Sequence, residues 1–219
     1  MSSTQGVELK RELKRKPQHP QWESFTDWAR ERASVITTPI AGAIGRLGIH
    51  PNTVTLIGLV LQLGVAVVFG LGYVVPGGWL LLAVAPVDAL DGALARLQGR
   101  QSRFGAFLDS TLDRIADASL IMGLIAHFLR LGAYTEVALL LVAQVAVLMV
   151  SYTRARAEAL GFQCKTGLLT RMERILLIGI FCALGLPAIM TWLLTTLSVF
   201  TVVQRVLYVY ALSRQVESN

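Results

Sequence analysis

Apolar runs near residues 53–74, 78–97, 104–130, 133–160 and 170–213 take up most of the chain after residue 50. A helix needs about 20 residues to cross the hydrocarbon core of a bilayer, and inside lipid only helices and closed barrels satisfy their own backbone groups. Runs of this length point to a bundle of membrane helices. The last run is too long for one span and is interrupted at Gly185-Leu186-Pro187, where one helix is expected to end and another to begin. The fold expected is therefore all-α and integral to a membrane, with six transmembrane helices and both termini on one side. Composition agrees, since 54% hydrophobic residues, 16% charged residues and a mean hydropathy of +0.58 are too apolar for a soluble domain of this size.

Loop charge tests the count independently, because Lys and Arg collect on the cytosolic side. Lys10, Arg11, Lys14, Arg15 and Lys16 precede the first span; Arg96, Arg100 and Arg103 lie between the second and third; Arg154, Arg156, Lys165, Arg171 and Arg174 lie around the turn between the fourth and fifth; Arg214 follows the sixth. The opposite side offers only Arg130. This asymmetry places both termini and the second turn in the cytosol, as expected of a multi-pass protein of the plasma membrane. The net charge of +6 is accounted for by orientation and by attraction to anionic headgroups or phosphorylated substrates, so nucleic acid is not an expected partner. Ahead of the first span, Trp22, Phe25, Trp28, Ile36, Ile40, Ile44 and Leu47 alternate with charges over 21–48, as in an amphipathic helix lying in the membrane interface. The organisation is then a cytosolic segment over 1–50, one membrane domain over 51–213 and a short cytosolic tail over 214–219. Cys164 and Cys182 have neither metal-ligand nor disulfide-framework spacing.

Acidic side chains within apolar helices cost about 2.5–3.5 kcal/mol each even on a lenient insertion scale, and this chain carries a group of them. Asp88 and Asp91 are three residues apart at the end of the second run; Asp109, Asp113 and Asp117 follow at four-residue intervals in the third. Spacings of three and four put side chains on one helical face, so two carboxylate stripes meet across a short turn. Unpaired, they would repel one another or take up protons. A hard divalent cation, magnesium or manganese, would remove that problem; pairing with Arg96, Arg103 and Arg114, or an ion-coupled secondary transporter, are the other readings of the charges alone.

The residues between the acids discriminate among these readings. Asp88, Asp91, Gly92, Ala95, Arg96, Gly105, Asp109 and Asp113 stand in the pattern D-x2-D-G-x2-A-R-x8-G-x3-D-x3-D. In this segment the chain resembles the CDP-alcohol phosphatidyltransferases. The resemblance implies an enzyme that transfers a phosphatidyl group from CDP-diacylglycerol to an alcohol, with release of CMP. It implies that Asp88, Asp91, Asp109 and Asp113 hold metal, two Mg2+ or Mn2+ ions. Asp113 would be the catalytic base, and Asp88, Asp91, Gly92, Ala95, Arg96 and Gly105 would form the CDP site. It also implies a homodimer among membrane lipids. Asp117 lies outside the signature and is expected to be a supporting partner, while Asn52 and Thr55 are expected to cap the first span rather than touch the nucleotide.

The acceptor is read from the arginines. Arg205 lies within the last apolar run, where a guanidinium calls for an anionic partner, and arginine forks match phosphate oxygens. Ser151-Tyr152-Thr153-Arg154-Ala155-Arg156-Ala157-Glu158, Glu173-Arg174 and Gln204-Arg205 resemble the corresponding segments of one branch of that family, the bacterial phosphatidylinositol phosphate synthases. This implies that Arg154, Arg174 and Arg205 bind the phosphate of a phosphorylated polyol, inositol 1-phosphate. Arg154 departs from the lysine usual there. Glycerol 3-phosphate is the alternative acceptor, and salt bridges such as Arg156–Glu158 or Arg174–Glu173 are the structural alternative for the arginines.

Overall fold

The computed structural model describes residues 42, 48–99, 102–164 and 166–217, including side chains except those of residues 88, 89, 91 and 215–217. The amphipathic helix expected over 21–48 lies outside the described residues. From residue 51 the chain forms seven helices: α1 (Pro51–Gly70), α2 (Val74–Val84), α3 (Val87–Leu97), α4 (Arg103–Arg130), α5 (Tyr134–Ala159), α6 (Arg171–Ala183) and α7 (Pro187–Glu217). Among the described residues there is no strand.

Local chemistry sets these boundaries. α1 starts at Pro51, whose missing N–H would have no partner there anyway, and Nδ1 of His50 accepts from the Asn52 N–H at 3.2 Å. His50, rather than Asn52, is thus the cap of α1. α4 is capped by Ser102, whose Oγ accepts from the Gly105 N–H at 2.9 Å. α1 and α6 run out just before Gly72 and Gly185, both with the positive φ that closes a helix C-terminus. The run expected as one helix over 78–97 is two. Pro86 has no N–H to donate and its ring crowds the preceding turn, so the chain turns at Ala85-Pro86 and resumes as α3.

Three pairings build the core: α1 along α4, α2 along α6, and α5 along α7. Between apolar surfaces in lipid, close backbone approach is a main source of association. At Gly123 a Cβ would stand 2.2 Å from the Ala66 carbonyl oxygen, and at Gly78 it would stand 2.2 Å from the Ala183 nitrogen. Only glycine fits at either crossing. Phe69, Leu81, Leu120, Leu124, Leu140, Ile175, Met190 and Leu194 fill the centre. The inward face of α7 is polar over Thr191, Thr195, Ser198, Thr201 and Arg205, all buried; Thr195 is satisfied by donating to the Leu139 carbonyl at 3.0 Å.

α1, α5 and the Pro187–Arg214 stretch of α7 are each long and apolar enough to cross a membrane, yet only 33%, 28% and 28% of their most apolar windows is buried within the protein. Val60, Val67, Val145, Trp192 and Val206 all point outward from them. Such surfaces suit lipid and not water, and the chain is an integral membrane protein.

Candidate active site

A cavity of about 280 Å³ opens where the ends of α1, α3 and α4 converge. Pro51, Asn52 and Thr55 come from α1, Gly92, Ala95 and Arg96 from α3, and Ser102, Gly105, Ala106 and Asp109 from the start of α4. The Gln98 side chain ties the end of α3 to the Ile49 carbonyl at 3.1 Å, holding the two walls together. At Gly105 a Cβ would come 3.0 Å from Ser102 Oγ and 3.3 Å from Asn52 Oδ1, so glycine keeps this wall open to the Asn52 amide. Arg96 is exposed on the rim and near enough to Gly92 that a Cβ there would sit 3.5 Å from its Nη1. Asn52 and Thr55, expected only to cap, both face the cavity; Thr55 Oγ1 also bonds the Pro51 carbonyl at 3.2 Å.

Asp109 and Thr55 also line a narrower hollow further along α4, with Leu59, Gln62, Leu112, Asp113, Ala116 and Arg171. The cavity therefore leads, by way of Asp109, to Asp113 one turn on. Asp88 and Asp91 occupy successive turns of α3, and their side chains lie outside the described residues. Among the described side chains there is no group of three or more potential ligands. The donors that the two helices supply are all carboxylates, a set that fits a hard divalent cation, and Asp109 contributes to the wall of a cavity large enough for polar ligands.

Beyond Asp113 the character changes from open to filled. Arg171 Nη1 lies 2.9 Å from Asp113 Oδ1, and its Nε lies 3.6 Å from Asp117 Oδ1. Arg174 Nη2 lies 2.6 Å from Asp117 Oδ2. The four groups form an alternating row, Asp113–Arg171–Asp117–Arg174, joining α4 to α6. Its outer pair is partly wet and its inner pair nearly dry, with side-chain exposures of 20% and 22% against 8% and 4%. Two buried nitrogens of Arg174, Nε and Nη1, have no hydrogen-bond partner among the described residues.

Arg205 is 3% exposed. Its Nε donates to the Thr166 carbonyl at 2.8 Å and its Nη1 to the Val150 carbonyl, so backbone oxygens and not a carboxylate hold it. It lies against Gly167, where a Cβ would come 2.8 Å from Nη2. The same loop is fixed to α7 a second time, by the Leu169 N–H donating to Thr201 Oγ1 at 3.2 Å. Arg154 and Arg174 both act electrostatically on Arg205, which brings the three arginines into one region. Arg154 is exposed and pairs with Glu158 at 2.9 Å, the role expected of Arg156; Arg174 pairs with Asp117 and not with Glu173. Arg171, the partner of Asp113, had no assigned role in the sequence reading. Its signal was present only as a basic residue opening the fifth run.

The described residues form a helical membrane protein in which a small-residue cavity runs into helix-borne carboxylates, and comparison with known proteins assigns its class. The CDP-alcohol phosphatidyltransferase profile matches residues 48–204. The chain belongs to the CDP-alcohol phosphatidyltransferase family and is an enzyme of that type. It is 38% identical over 172 residues to the archaetidylinositol phosphate synthase of Methanothermobacter thermautotrophicus, covering 75% of this chain and 85% of that protein. It is 37% identical over 188 residues to the phosphatidylinositol phosphate synthase of Mycobacteroides abscessus, covering 81% and 84%. The crystal structure of the Mycobacterium tuberculosis phosphatidylinositol phosphate synthase with CDP-DAG bound superposes with a TM-score of 0.74 at 33% identity, over 80% of this chain and 94% of that one. That enzyme has also been solved in complex with manganese and citrate.

Proposed function

We propose that the protein transfers a phosphatidyl group from CDP-diacylglycerol to the hydroxyl of inositol 1-phosphate, giving phosphatidylinositol phosphate and CMP. The observation that carries this reading is the continuity of three features: a cavity walled by Gly92, Ala95, Arg96 and Gly105, a carboxylate turn at Asp109 and Asp113, and the buried arginines beyond it. A diphosphate on a nucleotide needs small walls and a positive rim. A phosphorylated acceptor needs arginine donors on the far side of the reacting phosphorus, and Arg174 has two such donors to offer. The relatives add support, since the names of the archaeal and the bacterial enzymes differ in the lipid and agree on inositol phosphate.

In this reading the acceptor oxygen attacks the phosphorus bearing diacylglycerol, the bond from that phosphorus to the bridging oxygen breaks, and CMP leaves with the bonding pair. Asp113 receives the hydroxyl proton. Asp88, Asp91, Asp109 and Asp113 would hold the divalent cations, two Mg2+ or Mn2+, whose contribution when bound is to neutralise the diphosphate and the charge on the departing phosphate. Arg96 orients the CDP moiety from the rim, and Arg154, Arg174 and Arg205 take the acceptor phosphate. Arg205 does so from a position fixed by two carbonyls.

The membrane arrangement proposed has six spans, α2 and α3 together making the second, with both termini and the site on the cytosolic face of the plasma membrane. Residues 1–50 and 214–219 flank the membrane domain of 51–213, and two copies form a homodimer. The acceptor is tested by supplying purified protein with CDP-diacylglycerol, Mg2+ and radiolabelled inositol 1-phosphate, glycerol 3-phosphate, inositol or serine, then identifying the lipid product. Label from inositol 1-phosphate alone is expected. Use of glycerol 3-phosphate with inositol 1-phosphate ignored would overturn the acceptor assignment.

A further inference from the structure

Asp117 stands outside the family signature, yet it is the most buried carboxylate among the described side chains with an ion pair, and it touches two arginines with two different oxygens. Oδ2 holds Arg174 at 2.6 Å and Oδ1 faces Arg171 at 3.6 Å. A carboxylate used this way fixes the spacing of two guanidinium groups, and both belong to α6 whereas Asp117 belongs to α4. We infer that Asp117 is a positioning residue for the acceptor site: it aims Arg174 by engaging Nη2, while Nε and Nη1, without a partner among the described residues, stay available to an incoming phosphate. The inference rests on the acceptor reading above.

Three features set this apart from a plain helix clamp. Arg174 is 3% exposed, and a buried cation with one nitrogen paired among the described residues is poorly arranged if stability were its sole purpose, since uncompensated donors in a dry site are unfavourable. The second arginine of the row, Arg171, is anchored from its other side by Asp113 at 2.9 Å, so Asp117 is steadied from the Arg171 side while it holds Arg174. Asp117 also lies one turn along α4 from Asp113, so the residue that aims the acceptor phosphate and the residue that takes the acceptor proton share one rigid element. Displacements of about 1 Å in such a frame can lower rates by a hundredfold.

The test is a kinetic split measured on the full chain in lipid nanodiscs. Asp117→Asn is expected to raise KM for inositol 1-phosphate about ten- to hundredfold while KM for CDP-diacylglycerol stays within about threefold, and Asp117→Glu should recover part of the loss. Equal changes in the two KM values, or a fall in thermal stability with both KM values intact, would overturn the inference. If Asp117→Asn fails to fold, Arg174→Gln is compared with the pair Asp117→Asn/Arg174→Gln, which removes both buried charges. The pair is expected to match the single variant in acceptor KM; a further tenfold rise would show that Asp117 acts other than through Arg174, and the inference would fall. A wild-type protein that makes no labelled lipid from inositol 1-phosphate would instead defeat the acceptor reading itself.

Discussion

The two ends of the site are built on opposite plans. At the open end, around Gly92, Ala95 and Gly105, the walls are small side chains and the space between α1, α3 and α4 stays open. At the arginine end, around Arg171, Arg174 and Arg205, the space is filled by long side chains held by Asp113, Asp117 and the carbonyls of Thr166 and Val150. The first end admits a bulky ligand by leaving side chains out. The second, in the function proposed, would meet a small anion with charges already fixed in place, so that little ordering would remain to be done on binding. Asp109 and Asp113 lie on the boundary, where the reacting phosphorus and the attacking oxygen would meet.

This contrast can be broken at either end. The largest effect belongs to the boundary: Asp113→Asn should lower turnover by roughly 10²- to 10⁴-fold, the range of a lost general base, while CDP-diacylglycerol binding, followed by equilibrium dialysis, is retained. Near-normal turnover in that variant would remove Asp113 as base. Next, Gly105→Val places branched carbon against Ser102 and Asn52 in the open end, and should raise KM for CDP-diacylglycerol about tenfold or more with acceptor KM nearly unchanged. At the filled end the sign of the split reverses. Gly167→Ala puts a Cβ 2.8 Å from Arg205 Nη2, so acceptor KM should rise several-fold, on the order of 1 kcal/mol, with CDP-diacylglycerol KM unmoved. The smallest effect is on stability: Glu158→Gln removes an exposed pair with Arg154 and should change unfolding free energy by less than about 1 kcal/mol in chemical denaturation.

Legibility from sequence follows the same division. The open end is local, its signature packed into residues 88–113, and helical spacing alone places Asp109 and Asp113 on one face. The apolar runs and the Gly185-Leu186-Pro187 break gave helix limits within a few residues of α1, α4, α5 and α7. The run over 78–97 reads as one span because its hydropathy is continuous across Pro86, whereas the backbone helix breaks there. The filled end is non-local. Asp117 and Arg174 are 57 residues apart, Arg205 and Val150 are 55 apart, and no periodicity reaches over such distances. Charge complementarity says that each buried arginine needs a partner, but not which, and it overlooks backbone carbonyls altogether. The burial of Arg205 is therefore legible in the sequence, whereas the carbonyls of Thr166 and Val150 that hold it are not.

The account depends most on acids from α3 and α4 acting together on one set of cations. Titrating Mn2+ into detergent-solubilised protein, with free Mn2+ followed by electron paramagnetic resonance, tests this directly in the wild type, Asp91→Asn and Asp109→Asn. Substitution on either helix should weaken Mn2+ binding at least tenfold, because each supplies ligands to the same ions. Binding that survives unchanged in Asp91→Asn while Asp109→Asn abolishes it would mean that α3 contributes no ligand, and the shared centre would have to be abandoned.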